Sequence, residues 1–236
     1  MSRERIKHYY TYQLDMKVLN VLSIVLLVLV GGVVFLLEYK AQYTPTLSPA
    51  ILLITMFLWL VLHELLHGIG FALFKMVDKK NITFGMFLEK GIFYCMCKQK
   101  IPKKVILTSL LFPITWIGIV TLIIGMYFNH YELVLLSIAN IASSIGDIIM
   151  TIYFLKSPKD IIYLDLDDCT SFTVLSSDSL ESIKVPGIKL VKTGIYQTDK
   201  MTVNQMKKIT ISKLSYLLLI IISFILIIDI IKRLIL

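Results

Sequence analysis

The stretch Val18 to Leu37 runs for 20 residues without a charged side chain, the length a helix needs to cross a bilayer core about 30 Å thick. Four more stretches qualify or come close: Ala50 to Phe74, Val105 to Phe128, Glu132 to Leu155 and Ser215 to Ile231. In hydrocarbon every backbone polar group must be satisfied internally, which leaves helices as the form for such runs. The expected fold class is therefore an all-α polytopic membrane protein with about five transmembrane helices. Composition agrees: only 17% of residues are charged, against about a quarter in a soluble domain, and the mean hydropathy is +0.80.

The first run follows Arg3, Arg5, Lys7 and Lys17 and ends at Glu38-Tyr39-Lys40. It is too long for a secretory leader and lacks a small-residue cleavage site, so it reads as a retained span. The net charge of +8 sits on residues that flank apolar runs rather than on one polar domain. That distribution fits the positive-inside rule and excludes nucleic acid as the partner. With a cytoplasmic N-terminus, 21 of the 24 basic residues face the cytoplasm: 4 before the first span, 8 from Lys75 to Lys104, and 9 from Lys156 to Lys213. A multi-pass protein of the cell membrane is expected, with the lipid bilayer as its surroundings.

The expected organisation is a cytoplasmic N-terminus (1–17), a four-helix membrane core (18–155), a cytoplasmic segment (156–213) and a C-terminal transmembrane helix (214–236). Within the core, residues 81–100 alternate apolar side chains around Glu89-Lys90-Gly91 and read as a β-hairpin at the membrane surface. In the cytoplasmic segment, IIYLDL and SFTVL look like short strands joined by Asp167-Asp168-Cys169-Thr170, but the segment is too small for an independent domain.

The second span contains His63-Glu64-Leu65-Leu66-His67. Ionisable side chains at mid-membrane cost roughly 2.5 to 3.5 kcal/mol each even on the lenient insertion scale, so three within five residues need a compensating partner. A metal ion would be one. Positions i and i+4 share a helical face, which lets both imidazoles reach one Zn²⁺ while Glu64 turns towards a bound water. The alternative is a structural polar cluster bonded to neighbouring helices.

Two histidines leave a zinc site short of its usual third protein ligand. Asp147 is the other carboxylate well inside a long span. At 1.5 Å per residue, His67 lies about 10 Å and Asp147 about 12 Å from the cytoplasmic ends of their parallel spans, so the depths match. Asn140, Ser143 and Ser144 lie on the face of Asp147. That stripe could hold a substrate backbone or orient the ligands, or it could serve close helix packing together with Ala139, Ala142 and Gly146.

HELLHG in one span, followed downstream by a span with Gly146-Asp147, resembles the zincin-type peptidases catalogued as domain of unknown function 3267, and more distantly the site-2 intramembrane metalloproteases. The resemblance runs from about Ala50 to Leu175. It implies a metal site of His63, His67 and Asp147 with Glu64 as catalytic base. Site-2 proteases typically carry Asn and Pro before Leu-Asp-Gly; here Asn140 is present, Pro is absent and Gly146 precedes Asp147.

Pro113 lies level with the expected metal and frees the carbonyl of Ser109, which would kink the third span and admit water, or simply pack as a kink. The hairpin after the histidine helix either offers an edge to an extended substrate segment or seals the protein against headgroups. Cys95, Cys97 and Cys169 make an odd count without metal-site spacing and suit apolar contacts in a reduced compartment. Asp165, Asp167 and Asp168 lack the Gly and Glu of a calcium loop and read as a solvated turn.

The function expected from these residues is a zinc-dependent, membrane-embedded metallopeptidase acting on membrane or membrane-adjacent polypeptides. A non-catalytic binding, assembly or immunity factor with the same fold is one rival. A metal-handling transporter is the other, though paired broken helices and inverted repeats are missing from the sequence. Little mass remains for a sensor domain, which leaves room for regulation by a partner protein.

Overall fold

A computed structural model describes residues 8–37, 47–87 and 92–195. Helix α1 (Met16–Leu37) starts behind Asp15, whose Oδ1 accepts from the amides of Lys17 and Val18 at 3.1 and 3.3 Å. Helix α2 (Pro49–Ala72) starts behind Ser48, which accepts from the Ile51 amide, with proline in the first turn. Both starts satisfy amide groups that a helix leaves orphaned.

The third apolar run is continuous over 25 residues but changes register. It comprises α3 (Lys103–Pro113), a π-helical stretch (Ile114–Val120) and α4 (Thr121–Tyr127). Pro113 has no amide hydrogen to return to Ser109, and the helix widens just beyond it. The fourth run, read from the sequence as one span, is two helices, α5 (Tyr131–Ser143) and α6 (Ile145–Lys156), bent by 49°. The hydroxyls of Ser143 and Ser144 both donate to the Asn140 carbonyl, at 2.9 and 2.8 Å, and the Ser144 amide joins them at 3.0 Å. Side chains competing for a helical carbonyl are an established cause of bending.

Among the described residues, three helices are thus long and apolar enough to cross a membrane, or four if the bent pair is one span. Their outer faces suit that role. On α1, Val28 is 66% exposed and Val21, Ile24, Leu29 and Phe35 are similarly open, a patch far larger than soluble monomers display.

The all-α expectation is overturned, because the chain is mixed α/β. Strands β1 (His8–Leu14), β4 (Ile101–Pro102), β5 (Ile162–Asp165), β6 (Ser171–Ser176) and β7 (Ile188–Ile195) form an antiparallel sheet in the order β4-β5-β6-β1-β7, and β2 (Ile82–Phe87) pairs with β3 (Ile92–Cys97) in a second, two-stranded sheet. The hairpin and the two short strands expected in the chain after Ser157 coincide with β2–β3, β5 and β6. The larger sheet exists because β1, read as part of a plain N-terminal tail, runs between β6 and β7, with Tyr10 opposite Val174 and Thr193. In His8-Tyr-Tyr-Thr-Tyr-Gln-Leu14 the inward positions are Tyr10 and Tyr12, both nearly fully buried. The Tyr12 ring packs against Tyr153 of α6 and Phe172 of β6, with centroids 4.9 and 5.5 Å apart. Phe154, Tyr163, Val105 and Phe71 complete a core that clamps the sheet to the ends of α2, α3 and α6.

The hairpin turn Glu89-Lys90-Gly91 and the apolar run Ser215 to Ile231 lie outside the described residues.

Candidate metal centre

Two glycines set the stage. Helix α2 carries His63-Glu-Leu-Leu-His67-Gly68-Ile-Gly70, and a Cβ at Gly70 would lie 2.7 Å from the Cα of Ser109. A Cβ at Gly68 would run into the edge of the Phe84 ring. Without side chains there, α3 and the β2–β3 hairpin close on α2 just past His67.

His63 and His67 are both buried, at 6% and 7% exposure. Their Nε2 atoms face each other at 3.1 Å, and Asp147, from the first turn of α6, meets them with Oδ2 at 3.1 Å from His63 Nε2 and Oδ1 at 3.5 Å from His67 Nε2. The other ring nitrogens define the protonation. His67 Nδ1 donates to the Ser109 carbonyl at 2.8 Å, and His63 Nδ1 donates to Asn140 Oδ1 at 2.9 Å. A carbonyl oxygen can only accept, so the Nδ1 atoms carry the hydrogen in this arrangement, and both rings turn Nε2 towards one point, where a neutral imidazole would offer its lone pair.

Two imidazole nitrogens and a carboxylate converge in this buried space, a donor set of the kind that holds a divalent metal ion. The spacing fits one. Ligand atoms about 2.0 to 2.1 Å from a tetrahedral ion stand about 3.3 Å apart; here the two Nε2 atoms are 3.1 Å apart, and the two carboxylate oxygens of Asp147 lie 3.1 and 3.5 Å from one Nε2 each. The three ligand atoms form a group that could hold a metal ion, and each histidine has the hydrogen-bonded second nitrogen that orients a ligand.

Glu64 lies beside this group, partly exposed, and lines the same cavity of about 200 Å³. Its carboxylate interacts with the backbone amide of Cys95 in β3. That contact follows from strand alternation. The Lys98 amide bonds to the Asn81 carbonyl across the hairpin at 2.8 Å, so Met96 and Tyr94 also face β2, while Cys97, Cys95 and Phe93 turn their backbone groups the other way. The Cys97 amide meets Asp165 Oδ2 at 2.9 Å, and the Cys95 amide meets Glu64.

The polar stripe expected around Asp147 divides. Asn140 reaches His63 directly. Ser143 lines the cavity with its hydroxyl bonded to the Asn140 backbone, and Ser144 is buried against the same carbonyl without reaching the histidines. The sequence reading missed three contributors. The Ser109 carbonyl accepts the His67 hydrogen bond, and the Ser109 hydroxyl donates to the His67 carbonyl at 3.0 Å; Pro113 was the available signal. The Cys95 amide was hidden in strand register. The far wall of the cavity comes from the larger sheet, with Asp165, Cys169 and Phe172; those residues are local to the site only once β5 and β6 fold back over it. Next to Cys95 on β3, burial pushes the Cys97 thiol up to about 11, which keeps it protonated.

Residues 56–162 match the model of a family described as "Putative zincin peptidase", domain of unknown function 3267. The match takes in both histidines, Glu64, the hairpin, Pro113 and Asp147. No curated protein and no solved structure matches the chain.

Proposed function

We propose that the protein is a zinc-dependent metallopeptidase working within the membrane, with His63, His67 and Asp147 as metal ligands and Glu64 as general base. The observation that carries this reading is the convergence of two buried Nε2 atoms and a carboxylate, with contacts of 3.1 to 3.5 Å, as a group that could hold a metal ion. Zinc held there would supply Lewis acidity towards a water molecule and the scissile carbonyl.

The protein's own groups do the rest. Glu64 accepts a proton from the attacking water and delivers it to the departing amine, so that water adds across the C–N bond. The Cys95 amide, on the outward edge of β3, lies close enough to interact with that carboxylate. Asn140 and Ser109 hold the imidazoles in the tautomer that binds metal. The outward backbone of Phe93 and Cys95 borders the cavity, and an extended polypeptide laid along it would present its carbonyls at the depth of the metal ligands. The substrate class is a membrane or membrane-adjacent polypeptide, since the helices around the site are apolar on their outer faces. Following the distribution of basic residues, the sheet side faces the cytoplasm.

The test is zinc content per chain in detergent-purified protein, measured by elemental mass spectrometry for wild type, His67→Ala, Asp147→Ala and Glu64→Gln. The expected result is about one zinc in wild type and Glu64→Gln and none in the ligand variants, with peptide hydrolysis in wild type alone. Wild type prepared without chelator and free of zinc would sink the reading. Zinc retained with Glu64→Gln fully active in cells would leave a binding factor rather than an enzyme.

A further inference from the structure

Away from the metal centre, a second cavity of about 330 Å³ runs along the outside of α3, lined by Lys103, Lys104, Leu107, Thr108, Leu111 and, from the loop after α6, Lys159. Its chemistry changes with depth. Lys103, Leu107 and Leu111 follow one another at four-residue intervals, a single stripe about 12 Å long down the helix. The cationic end lies where α3 leaves the sheet, and the apolar end lies in the part of the helix that is apolar enough to be in a membrane.

The lysines are held in place without being neutralised. Lys103 Nζ donates to the Ser157 carbonyl at 2.7 Å, and Lys104 Nζ lies 6.0 Å from the centre of the Phe74 ring. Among the described residues, none of the three forms an ion pair with a carboxylate. Lys103 and Lys104 also occupy the first turn of α3, which contains no acidic residue and has no side-chain cap; cations there oppose the helix dipole. Three like charges at one rim, above two leucines of which Leu111 is 43% exposed, call for a ligand that is anionic at one end and apolar at the other.

We infer that this groove binds one anionic glycerophospholipid, its phosphate between Lys103, Lys104 and Lys159 and an acyl chain along Leu107 and Leu111. The charge complementarity selects the headgroup and the apolar stripe selects a lipid over free phosphate. The inference rests on the apolar helices being membrane spans; it is independent of the zinc chemistry.

The experiment uses the full-length protein in non-ionic detergent and native mass spectrometry with added phosphatidylglycerol or phosphatidylcholine, beside liposome flotation. Phosphatidylglycerol should be retained at least tenfold more strongly than phosphatidylcholine. Lys104→Gln combined with Lys159→Gln should lose that preference at least tenfold, while Lys104→Arg with Lys159→Arg keeps it, and millimolar inorganic phosphate should not displace the lipid. Equal retention of the two lipids, or an unchanged preference in the Gln pair, overturns the site. Displacement by phosphate alone makes it an anion site and overturns the lipid assignment. A protein that fails to float with liposomes refutes the membrane reading itself, whatever the lipid result.

Discussion

His67 donates from Nδ1 to the carbonyl of Ser109, 2.8 Å away, and the amide hydrogen that would bond this carbonyl in a regular α-helix is missing because the residue four positions on is Pro113. A proline in one span thus leaves a backbone acceptor for a histidine in another. The orphaned carbonyl sets the tautomer of His67 and turns its Nε2 towards His63 and Asp147.

Replacing Pro113 with alanine should return an amide hydrogen to Ser109 and compete with His67 for its carbonyl. Loss of such an orienting bond typically lowers metal affinity about 10- to 100-fold. Zinc titration of Pro113→Ala against a competing chelator should show a drop of that size with helical content unchanged. Unaltered affinity would mean that the Ser109 contact does not orient the ligand.

The two glycines beside His67 should differ in tolerance. A methyl at Gly70 meets the Cα of Ser109, which moves only with α3, whereas at Gly68 it meets the outer edge of the Phe84 ring, which can rotate away. Overpacking of this kind costs about 1 to 3 kcal/mol, with Gly70→Ala at the upper end. Thermal unfolding in detergent should rank wild type above Gly68→Ala and Gly68→Ala above Gly70→Ala.

Tyr12 is 3% exposed on β1, an interior strand of the larger sheet, with its hydroxyl donating to the Leu180 carbonyl. Its truncation to alanine should cost about 3 to 5 kcal/mol, as for other large buried rings. The checkable outcome is a lower unfolding temperature together with faster proteolysis between residues 157 and 195, since β6 and β7 are joined only through β1.

Burial pushes the Cys97 thiol up to about 11. A raised value means less thiolate at any lower pH, so at pH 8 only about one molecule in a thousand presents the reactive form. Iodoacetamide at pH 8 should leave Cys97 unmodified in the folded protein and label it after denaturation, read by peptide mass spectrometry. Rapid labelling of the native protein would contradict the buried placement.

The residues that cluster at the candidate centre were legible because bilayers penalise them. Polar side chains inside apolar runs are costly, so His63, Glu64, His67 and Asp147 stood out, and helical rise alone put His67 and Asp147 at one depth. Asn140 was recognisable from its face of the helix, and the short strands from alternation. These are local properties, set by side-chain chemistry and the geometry of a single element.

The sheet and the finished site needed the tertiary structure. β1 pairs with β6 across more than 150 positions of chain, as Tyr10 does with Val174, and hydrogen bonds between strands leave no mark in either strand's own sequence beyond an alternation that a tail can share. The break at Ser144, the tautomers of the two histidines and the Cys95 amide beside Glu64 depend likewise on which carbonyl or amide another element presents. Residue types and their spacing determine what chemistry the chain can perform and which segments lipid can surround. Only packing decides which backbone groups are left to aim that chemistry at one point.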